Sequence, residues 1–315
     1  MQNTPKEWQV IQNIRSRVQR HNSHTIVPLG DDGYVFKNFS GFSVIAQDMM
    51  VEDVHFRLDY ASAFDLGHKS LAVNLSDLAA MGANGHLAQV SLALPKELTE
   101  SWLDEFYRGM TTLADRYGVE VVGGDLCASP RGLVIDVSVH GSCETPLTRK
   151  GAQAGDLLLT SGPLGLSTAG LQALREDRKT LFPDAVARHL RPEPRLDLVP
   201  QLQKNASKVH ALMDCSDGLV NDSLILTRNA LGLHLFPENF PLHEDTKEIK
   251  GETSAYEKAL WGGEDYELLM AVSPADRHLF PTWREVGQFT ESLGMFLVHG
   301  DGKEEITTFK GWKHF

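Results

Sequence analysis

The chain has 315 residues, 42% of them hydrophobic and 23% charged, and a net charge of −12 from 42 acidic and 30 basic side chains. That length allows two domains or one large one with a substantial core, and the composition excludes a disordered polar chain. The acidic balance excludes a surface built for nucleic acid or anionic lipid, and it repels nucleotides unless bound divalent cations invert the local field.

In chain order, residues 5 to 20 predict a helix with Trp8, Ile11, Ile14 and Val18 on one stripe. Pro28-Leu29-Gly30-Asp31-Asp32-Gly33 is a turn-rich loop, followed by a strand from Phe42 to Gln47 that ends at Asp48. Residues 63 to 81 carry a long helical pattern. Alternation in Ala88, Val90, Leu92 and Leu94 predicts a strand, residues 98 to 117 a helix, and the short apolar run from Gly118 to Val122 another strand. Leu133, Ile135, Val137 and Val139 alternate with Val134, Asp136, Ser138 and His140, a half-buried strand.

After Thr148-Arg149-Lys150-Gly151 the pattern restarts, so a domain boundary is placed near 150. Strands are predicted at 156–160, 232–236 and 266–272, and helices at 166–174 and 221–231. Ser161-Gly162-Pro163-Leu164-Gly165 could greet a phosphate but reads more readily as a plain strand-to-helix turn. Strands mixed with helices in both halves give an α/β (α+β) fold in two domains, residues 1–150 and 151–315.

Cys127, Cys143 and Cys215 are odd in number and widely spaced, which favours reduced thiols over disulfides or a Cys-rich zinc site. The first residues, Met1 to Glu7, lack the pattern of a signal peptide, and no run reaches the ~18 apolar residues of a membrane span. A cytoplasmic protein is expected.

Carboxylates gather at strand ends and glycine turns. Asp31 and Asp32 sit in the first loop, Asp48 after a strand, and Asp125 after Gly123-Gly124. Asp214 and Asp217 bracket Cys215-Ser216, and Glu264-Asp265 follow Gly262-Gly263. Each alone reads more readily as a turn or helix cap. Asp77 differs: it lies mid-helix between Leu75 and Leu78, on one face with Asn74 and Met81, and propensity explains it poorly, so a functional carboxylate stands level with a plain polar helix face. Oxygen ligands from several directions suit Mg²⁺, which binds carboxylates and keeps part of its water shell. P-loop, dinucleotide-fold, protein-kinase, nucleophile-elbow and His-Glu-x-x-His motifs are all absent.

These residues also resemble a known family. Asn74-Leu75-Ser76-Asp77-Leu78-Ala79-Ala80-Met81-Gly82-Ala83 is similar to the helix signature of thiamine-monophosphate kinases. Gly30-Asp31-Asp32, Val54-His55-Phe56, Gly123-Gly124-Asp125, Leu147-Thr148-Arg149, Arg191-Pro192-Glu193-Pro194-Arg195, Ser216-Asp217-Gly218-Leu219 and Gly262-Gly263-Glu264-Asp265-Tyr266-Glu267-Leu268 follow in the family's order. The family belongs to a superfamily with aminoimidazole ribonucleotide synthetase, selenophosphate synthetase and a hydrogenase maturation factor. The resemblance implies an N-terminal ATP- and Mg²⁺-binding domain that makes a homodimer through its sheet, and a C-terminal α/β domain that completes the active site.

It further implies Mg²⁺ ligands at Asp32, Gln47, Asp48, Asp77, Asp125, Asp214 and Asp217. ATP contacts are implied at Gly124, Asp125, Arg149 and Ser216, and thiamine phosphate contacts at His55, Glu264 and Trp312. The chemistry agrees: an arginine fork suits phosphate, and an indole stacks on a thiazolium. The plain alternatives are a surface arginine, a core aromatic and a capping glutamate. Gln47 stands where the family usually has Thr, so a metal-binding hydroxyl is gone; Leu126 also replaces a frequent Thr, and Cys215 a Ser or Leu. The implied reaction is direct in-line transfer from ATP to thiamine phosphate with no covalent nucleophile. The alternatives are a metal-dependent phosphohydrolase, another ATP-using synthetase of the superfamily, or a silent nucleotide-binding scaffold.

Overall fold

The computed structural model describes residues 6–18, 24–28, 33–300, 302–308 and 310. The backbone divides into two compact units, Met1–Leu78 with Ala83–Glu144 and Ala79–Gly82 with Thr145–Phe315.

The N-terminal unit contains α1 (Lys6–Val18), a short antiparallel pair β1 (Thr25–Val27) and β2 (Val35–Phe36), then β3 (Phe42–Val51), α2 (Ala63–Ala80), β4 (Asn84–Leu94), α3 (Glu100–Tyr117), β5 (Glu120–Ala128) and β6 (Val134–Cys143). Four strands form a sheet in the order β3-β6-β4-β5, with β4 and β5 parallel across the α3 crossover. β6 alternates as its sequence predicts, with Leu133, Ile135, Val137 and Val139 buried. Leu78 of α2 packs over that inner face, within 3.0 Å of where a Cβ on Gly141 would stand. Gly67 of α2 and Gly109 of α3 let the two helix backbones touch: an added Cβ would lie 1.8 Å from the Phe106 carbonyl oxygen and 2.0 Å from that of Phe64, respectively. Thr99 caps α3 by accepting the Trp102 N–H, and Gly118 ends it at φ 68°.

Three boundaries differ from the sequence expectation. β3 continues past Asp48 to Val51, because Met49, Met50 and Val51 pair with Asp136, Ile135 and Val134. β5 passes through both glycines to Ala128, held by its parallel register with β4. The helix expected over 221–231 is α7 (Leu219–Thr227), stopped by Arg228 and Asn229 at φ 53° and 57°. The loop at 29–32 lies outside the described residues.

The C-terminal unit carries β7 (Leu157–Thr160), α4 (Leu166–Arg175), α5 (Pro183–Leu190), α6 (Val199–Lys204), β8 (Val209–Cys215), α7, β9 (Gly232–Leu235), α8 (Glu244–Glu248), α9 (Ala255–Trp261), β10 (Glu267–Val272), β11 (Arg284–Thr290), β12 (Met295–His299) and β13 (Gly302–Glu305). The strand order is β13-β12-β9-β11-β7-β10-β8. The interior strands β7 and β10 are buried along their whole length, with leucines, Met270, Ala271 and Val272 making up most of both. Leu158, Met213, Leu219, Leu226, Leu269 and Phe289 belong to the larger core, and Ala169, Ala173, Phe182, Ala185 and Ile249 form a smaller one around α4 and α5. The chain is thus α/β with mixed sheets. Among the described residues, no helix is long and apolar enough to cross a membrane.

Candidate active site

Among the described residues, the N-terminal unit holds three of the predicted carboxylates, Asp48, Asp77 and Asp125. From Asp65 to Ala80, α2 is buried at every position except Asp77, which is half-buried. One turn earlier Asn74 is fully buried; its Nδ2 donates to the Ser70 carbonyl at 2.9 Å, while its Oδ1 accepts from no donor among the described residues. A buried acceptor left without a donor is costly, and a cation or a ligand N–H satisfies it.

Asp48 and Asp125 lie inside strands rather than after them. Asp48 is in register with Val137, Val90 and Gly124, so it projects to the inner face of the sheet at the β3 edge. Asp125 is in register with Ser91, Asp136 and Met49, so it falls on the opposite face at the β5 edge. Three strand spacings, roughly 14 Å, separate them across the sheet. This sheet therefore does not bring the two together. Asp48 keeps solvent contact as a residue, yet its carboxyl is pushed above the ordinary range by lost hydration, with Asp136 adding to the rise and His55 opposing it. His55 follows β3, and its Nδ1 accepts the Val51 N–H at 3.0 Å. Gln47 donates from Nε2 to both Asp136 oxygens at 3.0 and 2.9 Å. Asp125 accepts the Leu126 N–H at 2.9 Å. Asp32 and Trp312 lie outside the described residues.

Gly124 has a reason to be glycine that needs no nucleotide. It sits at φ 149°, and a Cβ there would stand 1.7 Å from the Val90 carbonyl oxygen. Gly124→Ala is expected to lower stability by at least about 2 kcal/mol, read as a drop in thermal midpoint.

The C-terminal unit collects the rest. β8 ends in Asp214 and Cys215, and Ser216 and Asp217 turn from it into α7. Asp222 on α7 accepts the Asp217 N–H at 3.0 Å. Burial, with the Asp214 charge second, pushes the Asp222 carboxyl up to about 8. Carboxyls crowded in this way favour a cation among them. The 262–267 segment runs alongside: Glu264 N–H donates to the Ser216 carbonyl at 2.7 Å, and Tyr266 N–H to the Cys215 carbonyl at 2.9 Å. Gly263 is required there, since its Cβ would lie 2.5 Å from the Ser216 oxygen. Glu264 and Tyr266 both adopt left-handed backbone, φ 65° and 51°, a strained conformation for these residues. Arg149 is exposed and makes no ion pair among the described residues. Cys215 is buried, and burial holds its thiol well above its usual pKa, so it is no nucleophile at neutral pH.

Sequence reading missed a buried network beneath this segment. Asp265 is fully buried and accepts the Gly165 and Ser167 N–H groups, so the N-terminus of α4 is filled by the chain's own carboxylate. Glu267 is 1% exposed and is gripped by Arg188 at 2.8 Å, by Arg195 and by the Ser161 hydroxyl. Arg195 closes the Arg191–Arg195 motif and Glu267 belongs to the glycine-rich one, so two motifs quoted separately prove to be partners. Asp184, His243 and Asp245 also meet, but local structure accounts for them. Asp245 accepts the Ala185 N–H, and its own N–H occupies His243 Nδ1.

Burial pushes the Asp265 carboxyl up to about 7, against the pull of the Ser167 and Gly165 N–H groups and Arg188. Between the ordinary carboxylate pKa of about 4 and this value the folded chain holds a proton that the unfolded chain lacks. Unfolding free energy is therefore expected to fall as pH rises through that window, by about 1.4 kcal/mol per unit at steepest. Urea titrations at several pH values should show the slope, and Asp265→Asn should reduce it, leaving the part that the raised Asp222 carboxyl contributes.

Residues 30–143 match the model of the AIR synthase related protein N-terminal domain, and residues 153–303 that of the C-terminal domain. The chain is 36% identical to the thiamine-monophosphate kinase of Bacillus subtilis, covering 98% of this chain and 99% of that one. The chain belongs to the thiamine-monophosphate kinase family. Its fold superposes on the crystal structure of thiamine-monophosphate kinase from Stenotrophomonas maltophilia with TM-score 0.82 and 30% identity, covering 93% of this chain and 96% of that one. AaThiL complexed with AMPPCP and TMP is similarly close, with TM-score 0.79 and 32% identity over 98% and 97% of the two chains. Membership of the thiamine-monophosphate kinase family makes the chain a kinase.

Proposed function

We propose that the protein transfers the γ-phosphoryl group of ATP to thiamine phosphate, giving thiamine diphosphate and ADP with the help of Mg²⁺. The observation that supports the reading is the backbone bond from Glu264 to Ser216, which holds Glu264, read here as a substrate contact, beside the end of β8 that leads from Asp214 to Ser216 and Asp217. A relative of the same family is solved with AMPPCP and TMP.

The donors fit magnesium: they are hard oxygens, Asn74 Oδ1 is a buried acceptor without a donor among the described residues, and Asp214, Asp217 and Asp222 crowd one another. Asp32, Gln47 through a carbonyl oxygen, Asp48, Asp77, Asp125, Asp214 and Asp217 would hold the ions, with Asp48 and Asp125, on opposite faces of their sheet, serving different ones. Bound Mg²⁺ supplies neutralisation of two anionic substrates and of the charge that develops between them. Arg149 forks onto ATP phosphate oxygens, and Gly124, Asp125 and Ser216 contact the nucleotide. His55, Glu264 and Trp312 hold thiamine phosphate. A terminal phosphate oxygen of thiamine phosphate attacks the γ-phosphorus, a new P–O bond forms, the bond to the β-phosphate oxygen breaks, and ADP leaves. The acceptor oxygen is already ionised, so positioning replaces a general base, and no side chain becomes phosphorylated.

In this reading the N-terminal domain, about residues 1–150, binds ATP and pairs with a second copy, and residues 151–315 complete the site. β3 favours the homodimer: it is a sheet edge whose Phe42, Ile45 and Met49 are 59%, 65% and 55% exposed. Phosphate release from thiamine phosphate, measured with and without nucleotide, tests the reading. No release without ATP is expected. Steady release without ATP would establish a phosphohydrolase instead.

A further inference from the structure

We infer that His189 is a positioning residue that fixes the direction of the Glu264 carboxylate, an inference that rests on the proposed substrate role of Glu264. His189 is buried on α5, 2% exposed, whereas Glu264 is 28% exposed. Histidine Nδ1 lies 3.3 Å from Glu264 Oε2 and 3.0 Å from the Ser167 hydroxyl. A carboxylate oxygen accepts and a hydroxyl does either, so the pairing requires the Nδ1–H tautomer, whose single proton is shared between Glu264 Oε2 and Ser167 Oγ.

Each link of this assembly is itself anchored. Gly170 of α4 lets α5 approach, since a Cβ there would stand 2.0 Å from the Ala185 carbonyl oxygen and 3.0 Å from His189 Cβ. That approach brings His189 under Ser167. Ser167 in turn is set by its backbone N–H, bound to Asp265 Oδ1 at 2.9 Å. Asp265 and Glu264 are consecutive, so the carboxylate that caps α4 and the one that faces outward are tied into one loop, through Ser167 and His189. Glu264 holds a left-handed backbone there, φ 65°. A long flexible side chain on such a turn has many rotamers, and a buried donor on Oε2 selects one, thereby aiming Oε1. Groups that hold a ligating side chain in this manner typically change affinity by about 10- to 100-fold when removed.

Steady-state kinetics on the full chain with ATP, Mg²⁺ and thiamine phosphate separate this role from a merely structural one. His189→Leu is expected to raise KM for thiamine phosphate about ten-fold or more, with KM for ATP within about two-fold. His189→Asn places an amide N–H where Nδ1–H stood and is expected to restore thiamine phosphate KM to within about three-fold of wild type. Equal rises in both KM values, or no rescue by asparagine, would overturn the inference. Should the leucine variant not fold, ¹⁵N spectra of histidine-labelled wild type still decide: a proton on His189 Nδ1 supports the pairing and the Nε2–H tautomer refutes it. No turnover by wild type would remove the functional reading together with this one. An unchanged thiamine phosphate KM in Glu264→Gln would remove the role of Glu264. Normal wild-type turnover with an unaltered His189→Leu removes the role of His189 alone.

Discussion

Glu267→Ala is expected to lower the unfolding free energy by about 3–5 kcal/mol, the range seen when one partner of a buried ion pair is removed. Glu267 is the first residue of β10, an interior strand, and its carboxylate is 1% exposed. Arg188 binds one oxygen at 2.8 Å, Arg195 and the Ser161 hydroxyl bind the other, and the two guanidinium groups are 16% and 18% exposed. Deleting the carboxylate leaves two cations facing each other in a poorly hydrated site. It also leaves the Ser161 hydroxyl, which donates to Glu267, without that acceptor. Glu267→Gln keeps the shape and one acceptor, so its loss should be smaller. Denaturant titration of both variants gives the comparison. A loss below about 1 kcal/mol for the alanine variant would mean that solvent screens this cluster like a surface pair.

Asp77→Asn is expected to cut turnover at least about a hundred-fold while the thermal midpoint moves by only a few degrees. The change is isosteric, and Asp77 is half-buried on a helix whose neighbours are packed, so the fold has little reason to respond. It removes one unit of negative charge that the proposed magnesium ions require, and an amide oxygen is a weaker ligand for a hard cation. Circular dichroism with kcat at saturating ATP and thiamine phosphate checks both halves. Activity within ten-fold of wild type would place the metal elsewhere.

The sequence made some of this legible because local pattern and tertiary role coincide. β6 shows its buried face as strict alternation, and α2 shows Asp77 as a carboxylate that a buried apolar helix does not otherwise explain. The ends of β3 and β5 were misread because Asp48 and Gly123-Gly124 resemble strand stops, whereas pairing with β6 and β4 carries both strands onward. That difference matters for the site. Asp48 and Asp125, expected at strand ends, lie at opposite edges and on opposite faces of one sheet. The buried network was invisible for another reason. Arg195 and Glu267 are 72 residues apart, and Asp265 reaches N–H groups 98 and 100 residues away. No local periodicity announces such partners; only the two quoted motifs hinted that those positions are constrained. Glu264, by contrast, was found as a carboxylate after two glycines, and the need for Gly263 is now physical: the Ser216 carbonyl leaves no room for a side chain.

Product analysis after incubation with ATP, Mg²⁺ and thiamine phosphate addresses the central claim most directly. Thiamine diphosphate and ADP should accumulate in equal amounts, with label from γ-labelled ATP in the new terminal phosphate and none retained on the protein. Free phosphate in place of thiamine diphosphate, or a labelled protein that passes its phosphate to thiamine phosphate, would contradict the account.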